Sequence, residues 1–334
     1  MAAARNLASG AIDVHAHVVV PEIWEVTKAH SVFTRPPEGV TLSDEARAQA
    51  AARVQSVIAS MGDMEARGGH MEAMGVGVQV LSASLVHQCT YWAAPEEALA
   101  LDRRSNDWVA ERIARDPERF LALGTLPLQA PELAVAELRR CMRDLGFVGV
   151  NISTRVGEIE IGDARLRPFW QAAEEEGALV YIHPAGNPDA RFRKHFLWNS
   201  IGQSFEEAMA IASLMYEGVL EDFPKLAICI SHGGGYMPYY MGRIERNWIE
   251  KPTTRVNMKR PPSEYLKRLW YDTCVYDTQA LRALAETVGA DRIVLGTDYP
   301  VGDRNPHEFI ADCGFSAAEV AGVMRGNAER MMFA

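Results

Sequence analysis

Two histidines stand two positions apart in an apolar run close to the start of the chain. His15 and His17 interrupt the stretch AIDVHAHVVVP, whose valines indicate a buried β-strand. Residues at i and i+2 of a strand project to the same side, so the two imidazoles should lie together near the end of this strand. Two neutral imidazoles side by side suit a metal ion better than a hydrophobic core. A His-x-His pair is also common without a metal, so the rest of the chain must decide.

Three more side chains of this kind follow other β-type runs, at the carboxyl end of each run. His183 lies in ALVYIHPA, His232 in LAICISHG and Asp298 in RIVLGTDYP. Three imidazoles and one carboxylate form a suitable shell for Zn²⁺, with one position open for water. We therefore predict one Zn²⁺ ion held by four ligands: His15, His17, His183 and Asp298.

Chemistry at such a metal also needs a group that moves protons. Zn²⁺ lowers the pKa of bound water from about 15.7 to about 7, and histidine is the usual acid or base near neutral pH. We assign this role to His232. The reverse assignment, with His232 as a ligand and Asp298 as the catalytic proton carrier, stays open. Mn²⁺ or Co²⁺ could replace Zn²⁺ in this ligand set.

Eight β-type runs, separated by amphipathic helix-type segments, must position these side chains. The runs cover residues 11–20, 77–84, 121–128, 146–153, 178–185, 226–233, 269–276 and 292–300. Strand and helix alternating eight times over 334 residues predict an α/β fold of the (β/α)8 TIM-barrel type, with a doubly wound parallel sheet as the competing fold. Active sites of the barrel lie at the C-terminal ends of its strands, where the four histidines and the aspartate are all expected.

One connection is too long for a simple loop between strand and helix. Residues 21–74 follow the first strand, and an insertion at such a point often forms a lid or a small cap over the site. A solvated surface excursion is the alternative. We predict a single barrel domain over residues 1–334 that carries this cap. A second long connection, residues 234–268, should form part of the site wall and of a subunit contact.

The composition argues against several classes of protein. The net charge of −10 disfavours a binder of nucleic acid or of an acidic membrane, although a small anionic substrate needs only one or two local arginines. No apolar run reaches the roughly 18 residues that span a bilayer, and the start, MAAARNLASG, is a poor secretory signal. Five cysteines without a Cys-x-x-Cys pair indicate a reduced, cytoplasmic protein.

With these residues considered, the chain resembles the amidohydrolase superfamily, and within it the branch that contains 2-amino-3-carboxymuconate 6-semialdehyde decarboxylase. The resemblance covers nearly the whole chain from residue 11. It is carried by IDVHAHVVVP, by SHGGG with GRIERNW, and by PPSEY, YDT and LGTDYP. It implies a barrel with one zinc ion and His232 as acid/base. The ligands that it implies agree with the assignment above: His15, His17, His183 and Asp298.

The resemblance also implies how a substrate carboxylate is held. In the family, an arginine that follows the catalytic histidine by eleven residues reaches the site of the neighbouring subunit, and Arg243 stands at that position here. A homodimer with Arg243 contributed in trans follows from this. The alternative is an exposed Arg243 that pairs with Glu245 or Glu250.

Two departures from the family leave the exact substrate open. The family has a second substrate arginine in the insertion after the first strand, and the candidates here, Arg53 and Arg47, match poorly. The family also has Trp and Asp after the His-Pro dipeptide, where this chain has Ala185 and Gly186. Trp198, farther along the same connection, is a further candidate for substrate binding.

We therefore predict a metal-dependent, non-oxidative decarboxylase of an unsaturated or aromatic carboxylic acid. The substrate would be similar to a carboxymuconate semialdehyde or to a hydroxybenzoate, as in the catabolism of aromatic compounds. The competing enzyme is a zinc-dependent hydrolase or hydratase of a related ring-cleavage product, in which water enters the product. A barrel that only binds a ligand is disfavoured by the complete set of five polar side chains.

Overall fold

Eight parallel strands form one sheet in the computed structural model, which describes residues 6–34, 42–187, 189–302 and 305–333. Each strand of this sheet pairs with the next strand of the sheet along the chain. This order has no reversal, whereas a doubly wound sheet reverses at its centre, so the competing fold is wrong. The strands are β1 (Ala11–Val18), β2 (Val76–Ala83), β3 (Phe120–Gly124), β4 (Gly149–Ile152), β7 (Leu179–Ile182), β8 (Ala227–Ile230), β9 (Trp270–Asp272) and β10 (Ile293–Val294), with a separate antiparallel hairpin of β5 (Arg155–Val156) and β6 (Ile159–Glu160).

Backbone hydrogen bonds between β1 and the segment after β10 close the sheet into a barrel. The Val14 amide donates to the Leu295 carbonyl at 2.9 Å, and the His17 amide donates to the Tyr299 carbonyl at 2.9 Å. The predicted TIM-type barrel is therefore confirmed. Its last strand is much shorter than the predicted run 292–300, because the chain after β10 continues along β1 without regular strand geometry.

Helices separate successive barrel strands and cover the outside of the barrel. Several begin with proline in the first turn, where its fixed φ and missing N–H suit a helix start. In the described ranges, no helix combines the length and the apolar character that crossing a membrane requires. The helices are α1 (Pro21–Thr27), α2 (Asp44–Gly62), α3 (Met64–Ala73), α4 (Leu85–Gln88), α5 (Pro95–Ile113), α6 (Pro131–Arg143), α7 (Arg167–Glu176), α8 (Gln203–Tyr216), α9 (Val219–Asp222), α10 (Met241–Glu250), α11 (Pro262–Leu266), α12 (Thr278–Val288), α13 (Pro306–Asp312), α14 (Ala317–Ala321) and α15 (Asn327–Phe333).

A β-bulge in β1 changes which of its side chains face the barrel interior. Asp13 and Ala16 pair with two residues of β2 that are only two positions apart, so β1 carries one extra residue between them. Val14 belongs to the apolar cluster inside the barrel. Ala16, two residues later, belongs to the other apolar cluster, which packs between the strands and the surrounding helices. Because the extra residue reverses the alternation, His15 and His17 take the inward positions at the end of the strand.

The insertion after β1 consists of α1, α2 and α3 in its described part, and residues 35–41 lie outside the described ranges. Arg67 of α3 is fully buried and reaches β1 and β2. Its Nη2 donates to the His17 carbonyl at 2.6 Å, and its Nη1 donates to Oε1 of Gln79 at 3.1 Å. The insertion therefore supports the strand that carries both histidines. Its role as a cap, and the assignment of the whole chain to one domain, stay predictions.

Candidate active site

Four imidazoles and one carboxylate meet at the C-terminal end of the barrel. His15 and His17 lie on β1, His183 directly follows β7, His232 follows β8, and Asp298 follows β10. Neighbouring imidazole centroids are 4.9 to 5.2 Å apart. The side chain of Asp298 is 15% exposed and those of His15 and His17 at most 3%, so the aspartate lies at the solvent side. The structure thus brings together the five side chains that the sequence singled out, while their individual roles stay proposals.

The donor atoms of this cluster fit a divalent cation. Nε2 of His15 and Nε2 of His17 are 3.1 Å apart, and Oδ1 of Asp298 lies 3.3 and 3.2 Å from them. Donor atoms of His15, His183, His232 and Asp298 also lie within 4.8 Å of one another. Imidazole nitrogens with one carboxylate oxygen are ligands that Zn²⁺ and Mn²⁺ accept. The distances alone allow either His17 or His232 to complete the ligand set.

Burial and mutual proximity set the charge of the cluster. Burial lowers the pKa of His17, and burial together with the neighbouring imidazoles lowers the pKa of His183 well below its usual value. For Asp298, burial favours the neutral acid, but His15 and His17 outweigh it and hold the pKa of this carboxyl well below its usual range. Neutral imidazoles and an ionised carboxylate are the states in which these groups bind a metal.

Asp272, the last residue of β9, contacts the His15 ring on the side away from the cluster. Its Oδ2 accepts hydrogen bonds from Nδ1 of His15 and from the Tyr181 hydroxyl, both at 2.7 Å, and its Oδ1 accepts from the Gly233 amide at 3.2 Å. Nε2 of His15 is therefore the nitrogen that faces the cluster. The sequence analysis assigned no role to Asp272, although it stands within the predicted strand 269–276 and in the YDT motif of the family resemblance.

Glu207, on α8, holds His232 in the same way. Nδ1 of His232 donates to Oε1 of Glu207, which also accepts from the Ser231 hydroxyl at 2.7 Å. Burial disfavours the charged imidazole, but the Glu207 carboxylate outweighs it and raises the pKa of His232 to about 9. No sequence pattern distinguishes Glu207 from the other acidic residues of an amphipathic helix.

Asp13 forms hydrogen bonds with both β1 and the segment after β10, the two parts of the chain that carry His15 and Asp298. Its Oδ1 accepts from the His15 amide at 3.1 Å and from the Thr297 amide at 3.0 Å. Its Oδ2 accepts from the Thr297 hydroxyl at 2.6 Å and from Nε2 of Gln79 at 2.9 Å. This fully buried carboxylate therefore stabilises the bulge that orients His15 and fixes the residue that precedes Asp298.

A cleft of about 1010 Å³ opens beside the cluster, with His232 and Asp298 in its lining. Its volume suits a single-ring organic acid. Tyr276 also lines it, and the Tyr276 hydroxyl donates to Oδ2 of Asp298 at 3.3 Å. Among the described residues that line the cleft there is no arginine or lysine, and none comes from the described part of the insertion 21–74.

Two of the substrate-binding candidates, Arg53 and Trp198, lie outside the described lining of this cleft. Arg53 is exposed on α2, and Arg47, on the same helix, only donates to the Leu42 carbonyl at 3.4 Å. Trp198 is half-buried at the start of a π-helical turn, and its neighbour Asn199 is a lining residue. The geometry therefore supports neither residue directly, and both stay predictions.

Arg243 is exposed on α10 and lies outside the cleft of its own chain. Neither alternative partner engages it: Glu250 pairs with Arg246 at 2.8 Å, and Glu245 accepts from the Ser263 amide at 2.8 Å. Within the described part of the chain, Arg243 has no ion-pair partner. Its guanidinium can therefore pair with a group outside the described part of this chain.

The family is shown by a match that covers almost the whole barrel. Residues 12–333 match the model of the Amidohydrolase family, Amidohydro_2. This chain belongs to the amidohydrolase family. It is also 32% identical, over 329 residues, to 2-amino-3-carboxymuconate-6-semialdehyde decarboxylase of Dictyostelium discoideum, and the match covers 95% of this chain and 90% of that protein. The resemblance inferred from the sequence is therefore confirmed.

Two solved structures share the fold of this amidohydrolase-family protein. A 2,6-dihydroxybenzoate decarboxylase complexed with 2,6-dihydroxybenzoate has a TM-score of 0.82 and 28% identity, over 98% of this chain and 100% of that chain. A dihydroxybenzoic acid decarboxylase from Polaromonas sp. JS666, with bound manganese and the inhibitor 2-nitroresorcinol, has a TM-score of 0.81 and 25% identity, over 97% of each chain. The compared proteins are thus decarboxylases of small unsaturated or aromatic acids.

Proposed function

We propose that this amidohydrolase-family protein is a metal-dependent carboxy-lyase that removes CO₂, without oxidation, from an unsaturated or aromatic carboxylic acid. The observation that carries the proposal is that the relative and both structural neighbours described above, which match nearly the whole chain, are decarboxylases. The histidine cluster beside a cleft of suitable size supports it. Carboxymuconate semialdehydes and hydroxybenzoates are the first substrate classes to examine.

We assign one divalent cation per subunit to four ligands: His15, His17, His183 and Asp298. Zn²⁺ is the first candidate because imidazole-rich sets with one carboxylate suit it, and Mn²⁺ and Co²⁺ are the alternatives. The manganese in the Polaromonas neighbour supports a divalent cation and keeps Mn²⁺ among them. When bound, the cation supplies positive charge that polarises the substrate's oxygen atoms.

His232 moves the proton in this mechanism. Because Glu207 engages Nδ1, Nε2 of His232 is the nitrogen available to the substrate. Nε2 gives its proton to the carbon that bears the carboxylate, the bond from this carbon to the carboxylate breaks, and its electron pair restores the π system as CO₂ leaves. His232 then regains a proton from solvent. In the reverse assignment, Asp298 carries the proton and His232 is a ligand, so metal content of the His232→Gln variant separates the two.

Arg243 of a second copy holds the substrate carboxylate in this proposal, which makes the protein a homodimer. Two observations support this assignment. The described lining of the cleft contains no arginine or lysine, and Arg243 is exposed on the surface without an ion-pair partner among the described residues. A guanidinium binds a carboxylate through two parallel hydrogen bonds. We keep Arg53 and Trp198 as candidates for the other end of the substrate. None of the five cysteines, all of which lie in the described ranges, forms a disulfide, and this supports a cytoplasmic location.

The masses of the products test this function. Purified protein loaded with Zn²⁺ or Mn²⁺ is incubated with carboxymuconate semialdehydes and hydroxybenzoates, with chelator-treated protein as the control. A product lighter by CO₂, formed only by the metal-loaded protein, is the expected result. A product heavier by water, or one cleaved with uptake of water, would overturn the proposal in favour of the hydratase or hydrolase.

A further inference from the structure

Glu207 is a buried carboxylate that contacts the proposed acid/base, His232, but neither binds the metal nor transfers the proton in the proposed mechanism. Its side chain is fully buried on α8, and its Oε1 accepts hydrogen bonds from both His232 and Ser231. Its Oε2 is buried and has no hydrogen-bond partner in the described part of the chain. Burying a carboxylate is costly unless a strong donor compensates for the lost water. The donor here is the imidazole that faces the cleft.

The backbone after β8 brings His232 against α8. His232 itself has a φ of +49°, and Gly235 has a φ of +63°. A Cβ at position 235 would lie 2.2 Å from the Ser204 carbonyl oxygen, at the start of α8. Only glycine accommodates both the positive φ and this close approach. The loop is therefore fixed against the first turn of α8, within about one helical turn of Glu207.

The site contains two imidazole–carboxylate pairs of the same design. Asp272 accepts from Nδ1 of His15, and Glu207 accepts from Nδ1 of His232. In each pair, the carboxylate lies on the side of the ring away from the cluster, so Nε2 is the nitrogen left to act. The first pair belongs to the proposed metal ligands, and the second belongs to the proposed acid/base.

We propose that Glu207 is a positioning residue that acts through His232. By holding the Nδ1 proton, it fixes the orientation of the ring and directs Nε2 to the substrate carbon. The catalytic consequence rests on the proposed function, whereas the hydrogen bond is a property of this chain alone. Two measurements with separate readouts therefore test the two statements.

Glu206 provides a matched control on the same helix. It is the neighbouring residue, it is also buried at 6% exposure, and its carboxylate accepts from Asn187 at 2.6 Å and from Thr154 at 3.2 Å. Glu206→Gln therefore removes the same charge from the same turn without removing a partner of His232.

The first measurement is NMR of the full-length protein labelled with ¹⁵N-histidine, with and without added Zn²⁺. A strongly deshielded proton bound to Nδ1 of His232 is expected in the wild type and in Glu206→Gln, and its loss in His232→Gln assigns it. In Glu207→Gln this resonance should vanish or move upfield. A wild-type protein without the resonance would overturn the inference, whatever its activity and whether or not a variant folds.

The second measurement is steady-state kinetics on an acid that the wild type decarboxylates. Glu207→Gln should lower kcat by about 100-fold or more, because a positioned acid or base typically contributes 10²- to 10⁴-fold, with little change in KM or metal content. Glu207→Asp should recover part of kcat, and Glu206→Gln should resemble the wild type. A folded Glu207→Gln with wild-type kcat, or an equal loss in Glu206→Gln, would contradict the positioning role. If the wild type decarboxylates none of the acids, the proposed function fails while the NMR result still decides this inference.

Discussion

Nδ1 of His15 donates to Oδ2 of Asp272 at 2.7 Å, and neither side chain is exposed to solvent. The residues lie 257 positions apart in the chain, on β1 and β9. Burial raises the free energy of the Asp272 carboxylate, but the bond to His15 outweighs it and lowers the pKa of Asp272. The pair therefore holds an anion behind the imidazole that is proposed to bind the metal, which makes this ring a stronger ligand.

The Asp272→Asn variant should bind the metal more weakly, by about 10- to 100-fold. The amide keeps the shape of the side chain, but it removes the negative charge that faces Nδ1 of His15. Metal affinity is measured by competition with a chelator, and thermal unfolding of the metal-free variant serves as the control for folding. Unchanged affinity in a folded Asp272→Asn would contradict the role assigned to this pair.

Arg243 should complement a defective site in the neighbouring subunit. Arg243→Ala and His232→Gln are each expected to be nearly inactive, the first through loss of substrate binding and the second through loss of proton transfer. After refolding as a mixture, half of the dimers are hybrids with one intact site, so about a quarter of wild-type activity should return.

Arg246→Ala is the matched control for this experiment, because Arg246 is exposed on the same helix and pairs with Glu250. It should keep wild-type activity by itself. A mixture of Arg243→Ala and His232→Gln that stays inactive, although it contains hybrid dimers, would show that Arg243 does not act in trans.

His183 should make the stability of the metal-free protein depend on pH. Burial lowers the pKa of His183 in the folded state, so below the ordinary histidine value of about 6.5 the unfolded chain binds the extra proton. The free energy of unfolding contributed by this residue therefore falls with falling pH, by up to about 1.4 kcal/mol per pH unit.

Denaturant unfolding of wild type and His183→Asn, both metal-free, measures this contribution. The stability advantage that the wild type has at neutral pH should shrink by this amount per pH unit below about 6.5. The comparison cancels the buried carboxylates that titrate in the same range. Parallel stability profiles for the two proteins would contradict the buried, neutral state of His183.

The barrel and the residues that meet at its end could be predicted from the sequence, because each lies in or just after a β-type run. The orientation of His15 and His17 toward the barrel interior could not be predicted from the sequence. Along β1, Ile12, Val14 and Ala16 alternate regularly, so the pattern alone puts the histidines on the face opposite to Val14. The bulge reverses this alternation, and it depends on pairing with β2 that no local pattern encodes.

The carboxylates behind the imidazoles could not be predicted for a related reason. Asp272 and Glu207 act through contacts with residues distant in sequence. Asp272 lies in the YDT motif of the family resemblance, but the motif does not say which imidazole it contacts, and Glu207 lies in ordinary helix sequence. Arg243, by contrast, was selected only through the family resemblance, because the exposed surface of α10 gives no local signal for its role. The reactive side chains at the strand ends can therefore be predicted from one sequence, whereas the residues that orient them can be identified only from the folded structure.

Isotope incorporation from solvent distinguishes non-oxidative decarboxylation from hydration and hydrolysis. The metal-loaded protein is incubated with a dihydroxybenzoate in D₂O and, separately, in H₂¹⁸O, with samples lacking enzyme as controls for spontaneous exchange. We expect decarboxylation, giving a product that has lost CO₂, carries one solvent deuterium at the carbon that bore the carboxylate, and contains no ¹⁸O from water. A product that retains the carboxylate and contains ¹⁸O would contradict it and would identify a hydratase or hydrolase.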